Sequence, residues 1–198
     1  MHLVDCAVLC AAYLFGSVPC GLLVGHAAGL GDIRRLGSGN IGAANVLRSG
    51  YPALAAVTLA LDLGKGAAAV GLAAALRTSM PVAAIAALVG AIAPVWLAFR
   101  GGKGVGAGFG ALCLLYWPAA LAGALAWVAG VALCRRSSVG SLAAAIAAPV
   151  TALSTQSSGG PWVTITAMSA LVAARHADNV RRLLKGEEPR LGRSRSSD

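Results

Sequence analysis

Seven stretches of this chain, roughly 3–25, 52–74, 80–99, 104–117, 119–134, 139–155 and 161–175, run almost free of charge. Most are long enough to cross, or nearly cross, a hydrocarbon core of about 30 Å. Nothing in a bilayer satisfies a free backbone N–H or C=O, so such stretches must be helices. Charged residues make up 12% of the chain, about half the share usual in a soluble domain. A soluble globular fold is therefore excluded. The expected fold is an all-α integral membrane protein, a bundle of about seven transmembrane helices with its functional loops on the cytoplasmic side. One domain is expected over residues 1–191, and a polar, disordered tail over 192–198, "GRSRSSD". The fourth stretch is short and Gly-rich, and reads as a short tilted span, a half-helix, or one bent helix with the fifth.

The net charge of +9 raises the question of nucleic acid, but the basic residues form no basic domain. They fall in short clusters between apolar stretches. With seven spans and the N-terminus outside, 14 of the 16 Lys and Arg residues lie on the inner face or in the tail. The positive-inside rule favours that arrangement over six spans, and an anionic lipid surface over nucleic acid as the partner. The first stretch has no basic region before it and no clear small-residue cleavage site, so it reads as a retained span. The five cysteines form no C-x-x-C pair and read as small buried apolar side chains. No metal set and no cofactor are expected.

Three polar patches stand out. The first runs from Gly31 to Arg48, with four glycines between 31 and 42. Its Gly37, Gly39 and neighbouring backbone N–H groups, with Ser38, Asn40, Asn45 and the fixed charge of Arg48, suit a phosphate. The second is Phe99-Arg-Gly101-Gly102-Lys103-Gly104-Val-Gly106. It resembles a Gly-rich phosphate cradle with a lysine but lacks the Walker A spacing. A helix starting after it would offer N–H groups to an anion. The third runs from Ala174 to Pro189. There His176 and Asn179 share a helical face at i, i+3, and the histidine stands where a span ends, able to bind an anion or relay a proton. Each patch read alone is equally a polar connection. Asp62 and Lys65 lie within a span at i, i+3 spacing, and at that depth they are expected to pair as a structural unit. Ser141, beside Arg135 and Arg136, is a weaker binding candidate, and Glu187 reads as a structural partner for an inner-loop arginine.

Together, "GSGNIGAANVLR", "RGGKGVG" and "HADNVRRLLKGEEPRLG" resemble the three cytoplasmic motifs of the acyl-phosphate-dependent glycerol-3-phosphate acyltransferases, the PlsY family. "YLFGSVPCGLLVG", "LDLGKG" and "VGSLAA" resemble that family as well, so the resemblance covers nearly the whole chain in order. It departs at Ala44, where a threonine is usual, and in the Gly-Ala-Gly after "GGKGV". The resemblance implies transfer of a fatty acyl group from acyl phosphate to the 1-hydroxyl of glycerol 3-phosphate, at the bacterial inner membrane. It places Ser38, Arg48, Lys103, His176 and Asn179 in the catalytic set, with Gly101, Gly102 and Gly104 in a binding loop. It also implies as partners membrane lipid, a soluble acyl-phosphate-forming enzyme and the next acyltransferase.

The H-x4-D motif of other glycerolipid acyltransferases is absent: His26 and Asp32 are separated by five residues, His176 and Asp178 by one. Phosphate is a good leaving group, so the expected catalysis is mostly positioning and charge stabilisation. A substrate phosphate, with a second pKa near 6, competes with His176 as the base. An anion transporter would use the same basic loops, but no internal repeat is visible to support one. A CDP-alcohol phosphotransferase would need clustered aspartates, and Asp62 is the one acid well inside a span.

Overall fold

The computed structural model describes residues 3–155 and 160–191, so the expected tail at 192–198 lies outside the described residues. Among them every regular element is helical. Helices α1 (Leu3–Ser17) and α2 (Cys20–Ala27) form a pair bent by 43°. Pro19 stands at the break, where its missing N–H interrupts the helical ladder. A 3-10 turn (Ile33–Arg35) and α3 (Ala43–Arg48) follow, then α4 (Pro52–Ala75), α5 (Met80–Ile92), α6 (Val105–Leu115), α7 (Trp117–Cys134), α8 (Ser137–Thr155), α9 (Trp162–Ala174) and α10 (Ala177–Leu184).

Helices α4, α7, α8, and α5 with its extension to Leu97, are long and apolar enough to cross a membrane, and the bent α1–α2 pair makes a fifth candidate. The other two expected spans correspond to α6 and α9, which are shorter, at 11 and 13 residues. The fourth and fifth apolar stretches are two helices. The chain leaves the helical region at Tyr116 (φ −162°, ψ 91°), and α7 restarts with a proline in its first turn.

Small residues bring the helices together. A Cβ added to Gly16 would stand 2.0 Å from the carbonyl oxygen of Ala87, and one on Gly66 2.0 Å from that of Ala107. The backbones themselves are in contact, as expected where helices pack without bulky side chains between them. Large apolar residues such as Leu125, Leu133 and Ile146 face outward, where lipid surrounds them. The cysteines depart from the sequence reading: Cys20 is buried, whereas Cys10, Cys113 and Cys134 are exposed. A thiol is apolar enough for the lipid-facing surface, so burial in protein is not required.

Helix α1 runs parallel to α5. Gly16 meets Ala87, Gly90 meets Tyr13, and the Tyr13 hydroxyl donates to the Ala93 carbonyl at 2.8 Å. Trp96 Nε1 donates to Ser17 Oγ at 2.8 Å in the same direction. The described chain therefore starts at the end of the bundle opposite the one where the three polar patches meet.

Candidate active site

The first patch folds around Asn45. Its Oδ1 accepts from the Ser38 N–H at 2.6 Å and from the Ser38 hydroxyl at 3.1 Å, and its Nδ2 donates to the Ile33 carbonyl at 2.9 Å. Asn45 is 1% exposed, so these bonds are made where water cannot replace them. Gly37 is left-handed (φ 53°), and a Cβ there would stand 2.5 Å from Asn45 Oδ1. Only glycine lets the loop close so tightly. Arg48, at the end of α3, donates to Ser38 Oγ at 2.8 Å and to Ser137 Oγ, the first residue of α8, at 3.3 Å. Its Nε is buried with no partner among the described residues.

The second patch is shaped by backbone. Ala98, Phe99 and Gly104 are all left-handed. Gly101 N–H donates to Ile92 O and Gly102 N–H to Ala91 O, both at 3.1 Å. A Cβ on Gly101 would lie 2.5 Å from Ala91 O, so the loop reaches α5 only as glycine. Gly104 caps α6, and a Cβ there would meet Leu88 at 2.4 Å. A Cβ on Gly102 would stand 3.3 Å from Asn40 Oδ1, which puts the two loops side by side. The place of Gly39 is also a left-handed turn (φ 73°).

The third patch closes the site. Lys103 Nζ donates to Asn179 Oδ1, Asn179 Nδ2 donates to Glu188 Oε1 at 2.6 Å, and Arg182 Nε donates to Glu188 Oε2 at 2.8 Å. Arg136 Nε donates to the Glu188 carbonyl at 3.1 Å, and Arg175 Nε to the Gly102 carbonyl at 3.3 Å. The carboxylate at the centre is Glu188, not Glu187. Gly186 is left-handed after α10, and the Glu187 N–H donates to Arg182 O at 2.8 Å. That geometry ends a helix with a reversal. It leaves the Glu187 side chain exposed and turns Glu188 inward to 4% exposure. The structural arginine partner expected of Glu187 is thus its neighbour.

His176 is 2% exposed at the start of α10, with Nδ1 2.7 Å from the Val172 carbonyl. A carbonyl only accepts, so Nδ1 carries the proton and Nε2 presents a lone pair. Burial pushes the imidazole pKa down, the Val172 bond opposes this, and nearby Lys103 lowers it further. The ring is neutral at pH 7. Burial also lowers Lys103, to about 8; Glu188 opposes the shift, while Arg182, Arg48 and Arg175 add to it. Arg48 is lowered chiefly by burial but keeps its charge. Desolvation pushes the Glu188 carboxyl up, but the nearby Ser138 hydroxyl and the hydrogen bonds from Asn179 and Arg182 outweigh this and hold it below its usual range.

An apolar crevice runs from this cluster between α6, α8 and α9. Val105, Ser141 and Val172 line it nearer the polar patches, and Leu112, Ala148 and Ile165 line it deeper in the bundle. Val172 is also the residue whose carbonyl holds His176. Ser141 donates to the Ser137 carbonyl at 3.0 Å within its own helix, so it lines the crevice and makes no bond to the loops. Asp62 and Lys65 pair at 2.7 Å, as their spacing predicted, away from the cluster. Arg175, Arg182, Arg136 and Ser137 were not singled out as site residues by sequence. The first three sit in basic clusters that also satisfy topology, and Ser137 has no distinguishing signal.

The arrangement is four cations, Arg48, Lys103, Arg175 and Arg182, around one carboxylate, beside an apolar crevice. The comparisons point the same way. A family model described as glycerol-3-phosphate acyltransferase matches residues 6–186. The glycerol-3-phosphate acyltransferase of Maricaulis maris is 47% identical over 98% of this chain and 90% of its own length. That of Gluconobacter oxydans is 48% identical, covering 91% and 90%. A crystal structure of PlsY, an integral membrane glycerol 3-phosphate acyltransferase in its glycerol 3-phosphate form, superposes with a TM-score of 0.89 at 30% identity over 96% of each chain. Its lysophosphatidic acid form gives 0.86. The chain belongs to the glycerol-3-phosphate acyltransferase family.

Proposed function

We propose that this protein transfers a fatty acyl group from acyl phosphate to the 1-hydroxyl of glycerol 3-phosphate. The observation that carries this is the cation cluster close to one end of an apolar crevice, where Val105 and Val172 lie a few residues from Lys103 and His176. Two phosphate-bearing substrates, one with a long chain, need both features at one point. The PlsY structures in glycerol 3-phosphate and lysophosphatidic acid forms support the acceptor and the product. In the reaction the 1-hydroxyl oxygen attacks the acyl carbonyl carbon and gives up its proton, the bond between that carbon and the bridging oxygen breaks, and the oxygen leaves as part of inorganic phosphate.

In this reading Ser38, Arg48 and Lys103 bind phosphate oxygens, and the unpartnered Nε of Arg48 gains a ligand. Asn179 and Glu188 hold Lys103 in place. Nε2 of His176 accepts from the acceptor hydroxyl and orients it. A substrate phosphate, with a second pKa near 6, takes the hydroxyl proton. The acyl chain lies in the crevice, passing Ser141. The rate then comes from positioning and charge placement in a half-buried site. No observation favours the transporter reading of the basic loops.

The test is donor choice. Purified protein given acyl phosphate and glycerol 3-phosphate should yield lysophosphatidic acid, and acyl-CoA or acyl carrier protein thioester should not replace the donor. Robust transfer from acyl-CoA with none from acyl phosphate would defeat the reading. Family membership suggests a bacterial plasma membrane location, and the 14-of-16 charge bias supports the site end as cytoplasmic with the N-terminus outside. Reporters fused before Met1 and after Asp198 should report opposite sides.

A further inference from the structure

We propose that Asp62 and Lys65 are positioning residues for the acceptor: one buried ion pair on α4 that sets the spacing between the two anion loops. The inference rests on the reading that glycerol 3-phosphate binds between those loops. The pair lies well inside α4, with side chains only 16% and 11% exposed and 2.7 Å apart. Charges at such depth are unfavourable in a membrane protein and usually serve function. At Gly66 and Gly110 α4 and α6 already pack backbone to backbone, and Val70 and Ala111 add apolar contact. Simple cohesion between these helices has no need of a charged pair.

Each member touches the support of a different loop. Lys65 Nζ donates to the Val18 carbonyl at 2.8 Å, at the break where α1 gives way to α2. A cation there meets the negative end of α1 and fixes the direction in which α2 leaves. Helix α2 is the shelf under the first anion loop. A Cβ on Gly21 would stand 1.9 Å from the Ile41 carbonyl, and one on Gly25 2.4 Å from the Ile33 side chain. The Asp62 carboxylate stays with Lys65 and beside the Cys20 thiol, while its Cβ packs against α6. A Cβ on Gly106 would stand 2.7 Å from the Asp62 Cβ, so the first turn of α6 lies directly on the aspartate. Gly106 is three residues beyond Lys103. Through Lys65 on the Val18 carbonyl and Asp62 against Gly106, the pair on α4 thus touches both the shelf under the Ser38–Asn45 loop and the helix that follows Lys103. A directional ion pair fixes register in a way that apolar contact does not. The groups facing the pair are the Val18 carbonyl, the Cys20 thiol and the Gly106 backbone.

The experiment compares wild type, the charge-free pair Asp62→Asn with Lys65→Met, and Gly106→Ala. Each is purified in detergent and examined by calorimetry with glycerol 3-phosphate and by steady-state kinetics with acyl phosphate. The double variant leaves no lone buried charge, so it avoids the penalty of removing one partner. Glycerol 3-phosphate affinity and KM should worsen about tenfold or more, as expected when two binding groups lose their spacing. Turnover at saturating acceptor should stay within about threefold of wild type, because no residue that meets the reacting atoms has changed. Gly106→Ala keeps both charges and pushes α6 off Asp62. It should shift KM the same way, and it carries the test should the double variant fail to fold. Wild-type affinity and KM in either folded variant would overturn the proposal, leaving the pair a cohesive element only. Wild-type protein that binds no glycerol 3-phosphate would defeat the underlying reading instead, a result distinct from unchanged binding in the variants.

Discussion

The two anion loops reach similar electrostatic ends by opposite means. The first is held by its own side chains: Asn45 ties Ser38 to Ile33 within one short segment. The second makes its turns with left-handed backbone at Ala98, Phe99 and Gly104, and its Lys103 is placed by residues more than seventy positions away, through Asn179. A self-tied loop keeps its geometry whatever happens at the far end of the chain. A loop placed by a distant segment depends on every link of that segment. Here the links are Asn179, Glu188 and Arg182, so the C-terminal segment holds Lys103 by hydrogen bonds and reaches the first loop through charge alone, at Arg48.

The largest expected effect breaks that chain of links. Glu188→Ala leaves the Asn179 amide and the Arg182 guanidinium without their acceptor. Removing one partner from a buried charged network costs about 3 kcal/mol or more. The variant should lose most of its thermal stability margin or, where folded, most of its acceptor affinity. Glu187→Ala, one residue away and exposed, should be indistinguishable from wild type in both melting and kinetics. Equal effects from the two would place the network on the wrong acid.

The next effect tests the self-tied loop. Arg48→Ala removes charged hydrogen bonds worth roughly 1.5–3 kcal/mol, or about ten- to over a hundredfold in kcat/KM, while the protein still inserts. Arg48→Lys should also be poor, because lysine lacks the planar fork that reaches both Ser38 and Ser137. Normal kinetics in Arg48→Ala would remove Arg48 from the site.

These two tests also mark what was legible in the sequence. Long apolar runs sufficed for an all-helical membrane bundle, whereas it was the family resemblance of the three polar patches that put Ser38, Arg48, Lys103, His176 and Asn179 in one set. The acid was misread because Glu187 and Glu188 are chemically equal neighbours. Only the left-handed turn at Gly186 decides which one faces inward. Arg175 and Arg182 were hidden for another reason: basic residues at the inner ends of spans are expected for topology alone. The crevice was illegible because its walls, such as Gly108, Ala144 and Ala145, are the same small residues that pack the rest of the bundle.

A smaller effect is pH dependence through Lys103. Its amine is held at about 8 in the folded protein by burial and neighbouring cations. A bound phosphate favours the charged form, so binding takes up a proton where the free amine is neutral. Glycerol 3-phosphate affinity should therefore fall as pH rises through about 8, by up to about tenfold per unit. Below that pH, Lys103 is already charged and contributes no further dependence. Calorimetry at pH 9 in buffers of different ionisation enthalpy should register the proton uptake. In Lys103→Met that uptake should vanish. A flat affinity between pH 7 and 9.5 would show that Lys103 does not meet the phosphate.

The central claim is that the residues of this site bind and orient while a substrate phosphate takes the proton, and His176 tests it most directly. Steady-state kinetics on His176→Asn and His176→Ala, with glycerol 3-phosphate binding followed by calorimetry, separate the two roles. General-base assistance is worth about 10²–10⁴-fold in turnover. The account predicts that His176→Asn keeps an acceptor for the hydroxyl and much of the turnover, with the main loss in apparent glycerol 3-phosphate affinity. A collapse of turnover by about a thousandfold or more in both variants, with binding unchanged, would contradict it and make His176 the base.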